Sequence, residues 1–444
     1  MFEQEPAIKA LDAVFWSKTI SMTNILEVMP AKDRNEWNEQ LRTHSTPEYE
    51  PATVRETMTA LLSQREKFFA QKVDGIFRAL SGSHVTNQPQ GFSKRMIISR
   101  AISCYGTTNH DVTNYIHDLR CVIAKFMGRD EPLSNLTYKE IDRMNHRTKF
   151  GVWHSFDGGA FRVKLFKVGT AHMEVHPDMA WRLNQVLAWL HPMAIPPASR
   201  AKPAKPRKDY PLQQNLLSFK VIHELQKGRF NRDTKSLSFF LDGLKIDQET
   251  SLVLQYLGGV PGGAFDWKFD YEVSDALNEI TRTGTVPEAK SHQFYPTKEK
   301  LAALAVDLAE IGDTDQVVEP SAGLGALAAF LPPDRTTCIE ISPLHCKVLE
   351  GKGFATICAD FLSWAPAQKV DRICMNPPYG DGRGREHVKH AVSILRESGR
   401  LVAILPAGLR NKTLVEGWSH TWSEVYSDEF DGTGVSVALL TLKK

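Results

Sequence analysis

Between Val317 and Tyr379 four short apolar runs follow one another, and each ends in residues that carry chemistry rather than more core. Val317-Val318 leads into Glu319-Pro320-Ser321-Ala322-Gly323-Leu324-Gly325, and Cys338-Ile339 ends in Glu340. A third run ends in Ala359-Asp360-Phe361, and Asp371 to Met375 delivers Asn376-Pro377-Pro378-Tyr379. Such runs read as parallel strands buried on both faces. Ligands of an open α/β sheet lie beyond the strand carboxyl ends. The stretch therefore predicts an α/β, Rossmann-like sheet with helices on both faces and one site at one edge.

Each strand end admits a chemical reading and a plainer one. Gly323 and Gly325 let the backbone approach a ligand, with the N–H groups of a helix starting near Leu324 facing it. The dinucleotide fingerprint G-x-G-x-x-G fails at its third glycine position, where Ala328 stands. Alone the pair is only a strand-to-helix turn. Glu340, about twenty residues on, is where an acid takes two ribose hydroxyls, whether of a dinucleotide or of S-adenosylmethionine. Asp360 can accept from an adenine amino group with Phe361 covering the ring, or it can simply cap a short helix. Only its register with Glu319 and Glu340 favours the ligand.

Asn376-Pro377-Pro378-Tyr379 is the sharpest signal. Two prolines after a strand lack N–H donors, so the ladder stops and a stiff corner forms. The Asn376 side-chain oxygen and the Pro377 carbonyl can then accept from one planar amino group, with Tyr379 offering a stacking face.

Taken together, EPSAGLG, Glu340, Asp360 and NPPY resemble the amino-methylating DNA methyltransferases of class I, specifically the adenine-N6 branch. His292-Gln293-Phe294-Tyr295-Pro296-Thr297 is similar to that family's first cofactor motif. The resemblance spans 291–444. It implies that Phe294, Tyr295, Pro296, Thr297, Glu319, Pro320, Ser321, Ala322, Gly323, Gly325, Glu340, Ile341, Asp360, Phe361 and Asn376 form the S-adenosylmethionine site. It also implies that Asn376, Pro377, Pro378 and Tyr379 are catalytic, with a flipped adenine held against Tyr379 and Phe430. Arg383 and Arg385 would reach phosphates. Methylation of cytosine N4, an RNA base or a protein glutamine, and a non-catalytic DNA-binding or anti-restriction role, are the alternatives. The Pro-Cys arrangement of cytosine-C5 chemistry is missing beside Cys374.

The remainder is bounded by size and composition. At 444 residues about three domain-sized units are expected. These are a mainly helical region 1–197, a basic proline-rich linker 198–211, a small α+β unit 212–288, and the methyltransferase domain 289–444. The acidic start (MFEQEPAIKALDAVFW) is unlike a signal peptide, and no run approaches the roughly 20 apolar residues of a membrane span. The six cysteines show no C-x-x-C pair and read as reduced and buried, and the fifteen histidines show no ligand spacing. A cytoplasmic, metal-free protein is expected.

In the N-terminal part, 52–80 predicts one long helix or two, and Gly91–Ser103 and Asp111–Met127 two more, the last capped by Asp111. Phe161–Phe166 and Ala171–Val175 alternate about a Val168-Gly169-Thr170 turn, a β-hairpin, and Pro177 opens another helix. No acid lies between Asp74 and Asp111, while Arg78, Lys94, Arg95 and Arg100 do, a pattern suited to phosphate contact. Residues 1–290 carry 38 Lys+Arg against 33 Asp+Glu, and 291–444 carry 16 against 19. Because the sequence stops soon after its last predicted strand, DNA recognition is expected in the N-terminal 280 residues. The segments 81–103, 118–132 and 153–196 resemble an uncharacterised domain joined to adenine methyltransferases of phages and plasmids. A restriction-nuclease partner and the oligomeric state stay open.

Overall fold

The computed structural model describes residues 4–23, 25–93, 95–147, 150–203, 212–239, 246–287, 296–427, 429–430 and 434–444. They divide into two compact units, Met1–His223 with Arg282–Thr285, and Glu224–Thr281 with Val286–Lys444.

The second unit is built on a seven-stranded sheet: β1 (Val317–Pro320), β2 (Thr336–Glu340), β3 (Ala355–Cys358), β4 (Val370–Met375), β5 (Leu395–Pro406), β6 (Ser419–Tyr426) and β7 (Val437–Lys443). Their order is β3-β2-β1-β4-β5-β7-β6. β1 to β5 run parallel, and β7 lies antiparallel between β5 and β6. The chain winds outward from β1 to β3 and then returns to place β4 on the other side of β1. That reversal opens a crevice at the carboxyl ends.

Both faces of the sheet are covered, which is why its central strands carry unbroken apolar runs, Val317-Val318, Ile373 to Met375 and Leu401 to Leu405, rather than an alternating pattern. Helix α1 (Glu299–Leu308) packs Leu301, Ala302 and Ala305 with Val317, Cys374, Val402 and Ile404. Helix α3 (Arg383–Ile394) packs Val388 and Ala391 with Ile373, Leu401 and Ala403 on the opposite face. Between them in sequence, α2 (Pro343–Gly351) is capped by the Ser342 hydroxyl and opened by Pro343. The α/β class expected from the sequence is the class found.

The helix expected near Leu324 is not there. Ser321, Gly323 and Gly325 take φ of 61°, 58° and 81°, so the backbone coils left-handed and only a 3-10 turn, Ala328–Phe330, follows. Three left-handed residues in five leave no room for a first helical turn. In the same unit, Gly228–Asn231, Ser236–Phe239, Asp266–Lys268 and Val260–Pro261 form a small antiparallel sheet, preceding helix Ser274–Thr283.

The first unit sets helices around a four-stranded antiparallel sheet, in the order Arg95–Ile98, Ala171–Val175, Phe161–Leu165, His154–Phe156. Residues 52–80 form two helices, Pro51–Ser63 and Arg65–Ala79. The predicted hairpin is present, with Gly169 at φ 85° in its turn. The helix expected over Gly91–Ser103 is a strand: Met96, Ile97 and Ile98 are buried and pair with the hairpin, a tertiary choice that helical spacing could not reveal. Asn109, not Asp111, caps helix His110–Phe126, accepting from the Asp111 and Val112 N–H groups. Of the predicted phosphate-facing cations, Arg78 pairs with Asp74 and Arg95 with Glu174, and Lys94 lies outside the described residues.

Cys104 and Cys358 are exposed, against the expectation that the thiols are buried, and Cys358 is so because β3 is a sheet edge. Among the described residues no helix is long and apolar enough to cross a membrane.

Candidate active site

The carboxyl ends of β1, β2, β3 and β4 converge on a cavity of about 520 Å³, within the several-hundred Å³ range of small-molecule sites. It is lined by Glu319, Gly323, Glu340, Ile341, Asp360, Phe361 and the whole Asn376–Tyr379 corner, together with Pro296 and Thr297 before α1. Phe294 and Tyr295 lie outside the described residues.

Glu340 ties two strand ends together. Its Oε2 accepts the Gly323 N–H at 2.8 Å and its Oε1 the Ser342 N–H at 2.8 Å. The left-handed turn is thus drawn onto β2, with the Ser321 N–H donated to the Ile339 carbonyl at 2.8 Å. Burial alone would raise the Glu340 carboxyl, but His345 and the two backbone donors outweigh it and hold the group below the ordinary carboxylate range. A carboxylate has about four lone-pair sites, so the two backbone N–H groups do not exhaust it.

Two residues behind Glu340 carried no signal that strand-end reasoning could use. His345, in the first turn of α2, sets Nδ1 3.7 Å from Glu340 Oε1, and the Tyr256 hydroxyl lies 2.6 Å from its Nε2. Burial, and secondarily Glu340, push the Tyr256 hydroxyl up, so it keeps its proton. Lys352 Nζ donates to the Leu324 carbonyl at 2.9 Å and pins the turn from the far end of α2.

Glu319 is the opposite of Glu340. It is 3 % exposed, and its Oε2 has no hydrogen-bond partner among the described residues. Burial first, then the neighbouring Glu340, raises its pKa well above the usual value, so it favours the neutral form. A buried carboxyl oxygen without a partner is rare, and because Glu319 lines the cavity a ligand can supply the missing partner.

On the third strand end Asp360 does cap the short 3-10 turn Phe361–Ser363, accepting the Leu362 N–H at 3.0 Å through Oδ1, while remaining exposed. The plain and the chemical readings are compatible, since the other oxygen is unused by the cap. Phe361 differs from its expected part as a cover: it is 2 % exposed and packs against His387 and His390, so it forms wall. Ile341, 61 % exposed, is the apolar residue that stands out towards the cavity.

At the β4 corner Pro377 is buried and Asn376 is half-buried. Asn376 Nδ2 donates to Thr297 Oγ1 at 3.1 Å, which orients the amide, and Asn376 Oδ1 accepts the Tyr379 hydroxyl at 2.7 Å. The Tyr379 ring meets Phe430 edge to face, 6.2 Å between centroids at 68°. Sequence and structure thus bring Thr297, Asn376, Tyr379 and Phe430 together. Arg383 lines the cavity, whereas Arg385 is exposed on α3 away from its lining. Among the described residues no group of three or more His, Cys, Asp or Glu side chains could hold a metal ion.

A family model described as a domain of unknown function (DUF4942) matches residues 8–192. No curated protein matches the chain. Solved structures similar to part of it include a candidate RNA methyltransferase from Pyrococcus horikoshii, 21% identical over 36% of this chain and 89% of that one, TM-score 0.31. TrmN from Thermus thermophilus is 20% identical over 33% of this chain and 48% of its own, TM-score 0.27. A dimethyladenosine transferase from Plasmodium falciparum is 14% identical over 34% and 63%, TM-score 0.29. These likenesses concern the fold of about a third of the chain, and the strand order above carries the fold assignment: a Rossmann-like sheet with an antiparallel strand inserted before its last edge.

Proposed function

We propose that this chain is an S-adenosylmethionine-dependent DNA methyltransferase acting on the N6 amino group of a flipped adenine. The observation that carries the reading is the meeting of the Asn376–Pro377 corner with Glu340 and Asp360 at one cavity.

The residues present fit the cofactor. The orphaned Glu319 Oε2 can accept from an ammonium group, whose charge would return the carboxyl to its ionised form, the remaining lone pairs of Glu340 suit ribose hydroxyls, and Asp360 with Ile341 suits an adenine. When bound, S-adenosylmethionine supplies an electrophilic methyl group on a sulfonium.

The chain's own part is to position the acceptor. Asn376 Oδ1 and the Pro377 carbonyl accept from the adenine amino group and draw its lone pair out of ring conjugation. Thr297 keeps the Asn376 amide from flipping. The base takes the place of the Tyr379 hydroxyl on Asn376 Oδ1, and the released ring, backed by Phe430, is free to stack. Extruding the base costs a few kcal/mol, and holding two reactants in line supplies much of the rate. A covalent enzyme intermediate through Cys374 is disfavoured, since that thiol is fully buried and burial pushes its pKa up.

The test is to incubate the purified chain with DNA and the cofactor, digest to nucleosides and analyse by mass spectrometry. N6-methyladenine supports the reading. Label found only in N4-methylcytosine, RNA or protein sinks it.

A further inference from the structure

We propose that the outward face of the four-stranded sheet in the N-terminal unit is a contact surface for the DNA backbone. It rests on the reading that the substrate is DNA, and it assigns to a domain without a known role a defined set of residues.

The sequence builds most of this face from two stretches that contain no acidic residue, 75–110 and 158–173, with Trp153 and Glu174 just outside the second. Strand alternation then sorts the side chains. Met96, Ile98, Val163, Leu165, Met173 and Val175 turn inward to the core. The opposite parity places Arg95, Arg162, Lys164 and His172 outward, with Arg95, Glu174 and Arg162 in one cross-strand row and Lys164, His172 and the buried Ile97 in the next.

These cations are held rather than loose. Trp153 is the post: the Arg95 and Arg162 guanidinium carbons lie 5.8 and 4.9 Å from its ring centroid, and Lys164 Nζ 4.6 Å. Lys164 Nζ is also 5.1 Å from the Phe166 ring, whose other neighbour is His172 at 4.4 Å. Aromatic faces attract cations without neutralising them. Glu174 clamps Arg162 at 2.5 Å and Arg95 at 2.9 Å, but one carboxylate stands against three fixed positive charges. Lys164 makes no ion pair among the described residues, and the side chains of Arg95 and Arg162 keep 50 % and 33 % of their exposure. The His172 imidazole is pushed down first by burial and then by Lys164, Arg95 and His84, which reports the same positive field.

A surface of this kind has one natural occupant. An apolar partner would leave the charges unpaired, and a solvated surface has no use for an aromatic post that stiffens them. A phosphate chain, at one negative charge per ~1.7 Å of duplex axis, satisfies them by releasing counterions. Pre-ordered side chains lose less entropy when a phosphate binds.

The test measures binding of the full chain to a labelled random-sequence duplex by fluorescence anisotropy, between about 50 and 200 mM salt. Lys164→Gln is expected to weaken binding and to lower the slope of log affinity against log salt by about one, and Arg95→Gln with Lys164→Gln by about two. Glu174→Gln removes the one acid and is expected to tighten binding, a result that a misfolded domain cannot produce. The proposal is overturned if the variants match the parent chain in affinity and slope, if the parent binds no duplex, or if only RNA or protein is bound. If the charge effects appear but no N6-methyladenine forms, this surface stands and the proposed activity falls. If DNA is methylated while the slopes are unchanged, the surface falls alone.

Discussion

The two units treat ionisable side chains in opposite ways. In the N-terminal unit buried charges are closed against one another. Arg120, fully buried, donates to both oxygens of Asp157 at 2.7 and 2.9 Å, and Arg129 adds a third contact at 3.4 Å. Arg34 reaches Asp118 at 3.2 Å, and Lys72 reaches Glu131 at 3.4 Å. Within the Arg120–Asp157–Arg129 cluster, Arg120 Nη1 has no hydrogen-bond partner among the described residues, and its guanidinium lies over the Phe156 and Phe219 rings. In the sheet unit the carboxylates are held from behind and left open in front. Glu340 receives its donors from the turn and α2, and Glu319 Oε2 receives none. Charge closed on itself specifies packing, whereas charge braced on one side marks where a ligand completes the set.

The sharpest way to break that contrast is at the open corner. Asn376→Ala is expected to lower methyl transfer by about 10²–10³-fold or more, the scale of losing one preorganised polar contact to the reacting group. Cofactor affinity, followed by calorimetry, should stay nearly constant. Tyr379→Phe sharpens the reading: it removes the hydroxyl that competes for Asn376 Oδ1 but keeps the ring, so activity should survive, whereas Tyr379→Ala should lose it. Equal loss in both would refute an exchange of partners on Asn376.

At the closed end, Asp157→Ala strands two guanidinium groups. Unfolding in urea should show about 3–5 kcal/mol of lost stability, the usual result of breaking a buried pair from one side. A loss under about 1 kcal/mol, typical of exposed pairs, would mean the cluster is solvated.

His345→Ala should weaken cofactor binding about tenfold or more by loosening Glu340, and Tyr256→Phe by less, roughly fivefold, since it removes one neutral hydrogen bond. If both leave affinity unchanged, the brace behind Glu340 is ornamental.

The smallest effect is in pH dependence. Glu319 has a raised folded-state pKa, so its contribution to stability is present below the unfolded value and is lost as pH rises through the raised one. Glu340 is lowered, so its contribution is present above the unfolded value and is lost as pH falls through the folded one. Glu319→Gln should therefore flatten the alkaline side of the stability curve of the cofactor-free protein and raise its melting temperature near neutral pH by a few degrees. An unchanged curve would mean that Glu319 is already satisfied without a ligand.

Much of the candidate site was legible because a parallel strand exposes its chemistry only where it ends. Apolar runs located β1, β2 and β4, and the first polar residue after each lies at the cavity. The turn after β1 was misread as a helix start because glycines permit both, and only the left-handed φ of Ser321 decides between them. Phe361 was assigned to the ligand by proximity, yet packing of His387 and His390 turned its ring into wall. In the N-terminal unit, Met96 to Ile98 read as helix because a short apolar run has no period of its own. Pairing with the hairpin made it a strand.

By itself the sequence determined the local corners: the proline-stiffened end of β4, the hairpin at Gly169, the acid closing β2, and the α/β class that these imply. Those choices follow from backbone sterics and from hydrophobic period, both of which act over a few residues. Only the tertiary structure decided that Tyr256 and His345 brace Glu340, that Glu319 is left one partner short, and that Arg95, Arg162 and Lys164 gather around Trp153. Each depends on which distant segments pack together, and side chains far apart in the chain acquire a shared electrostatic task only once strand register sets them side by side.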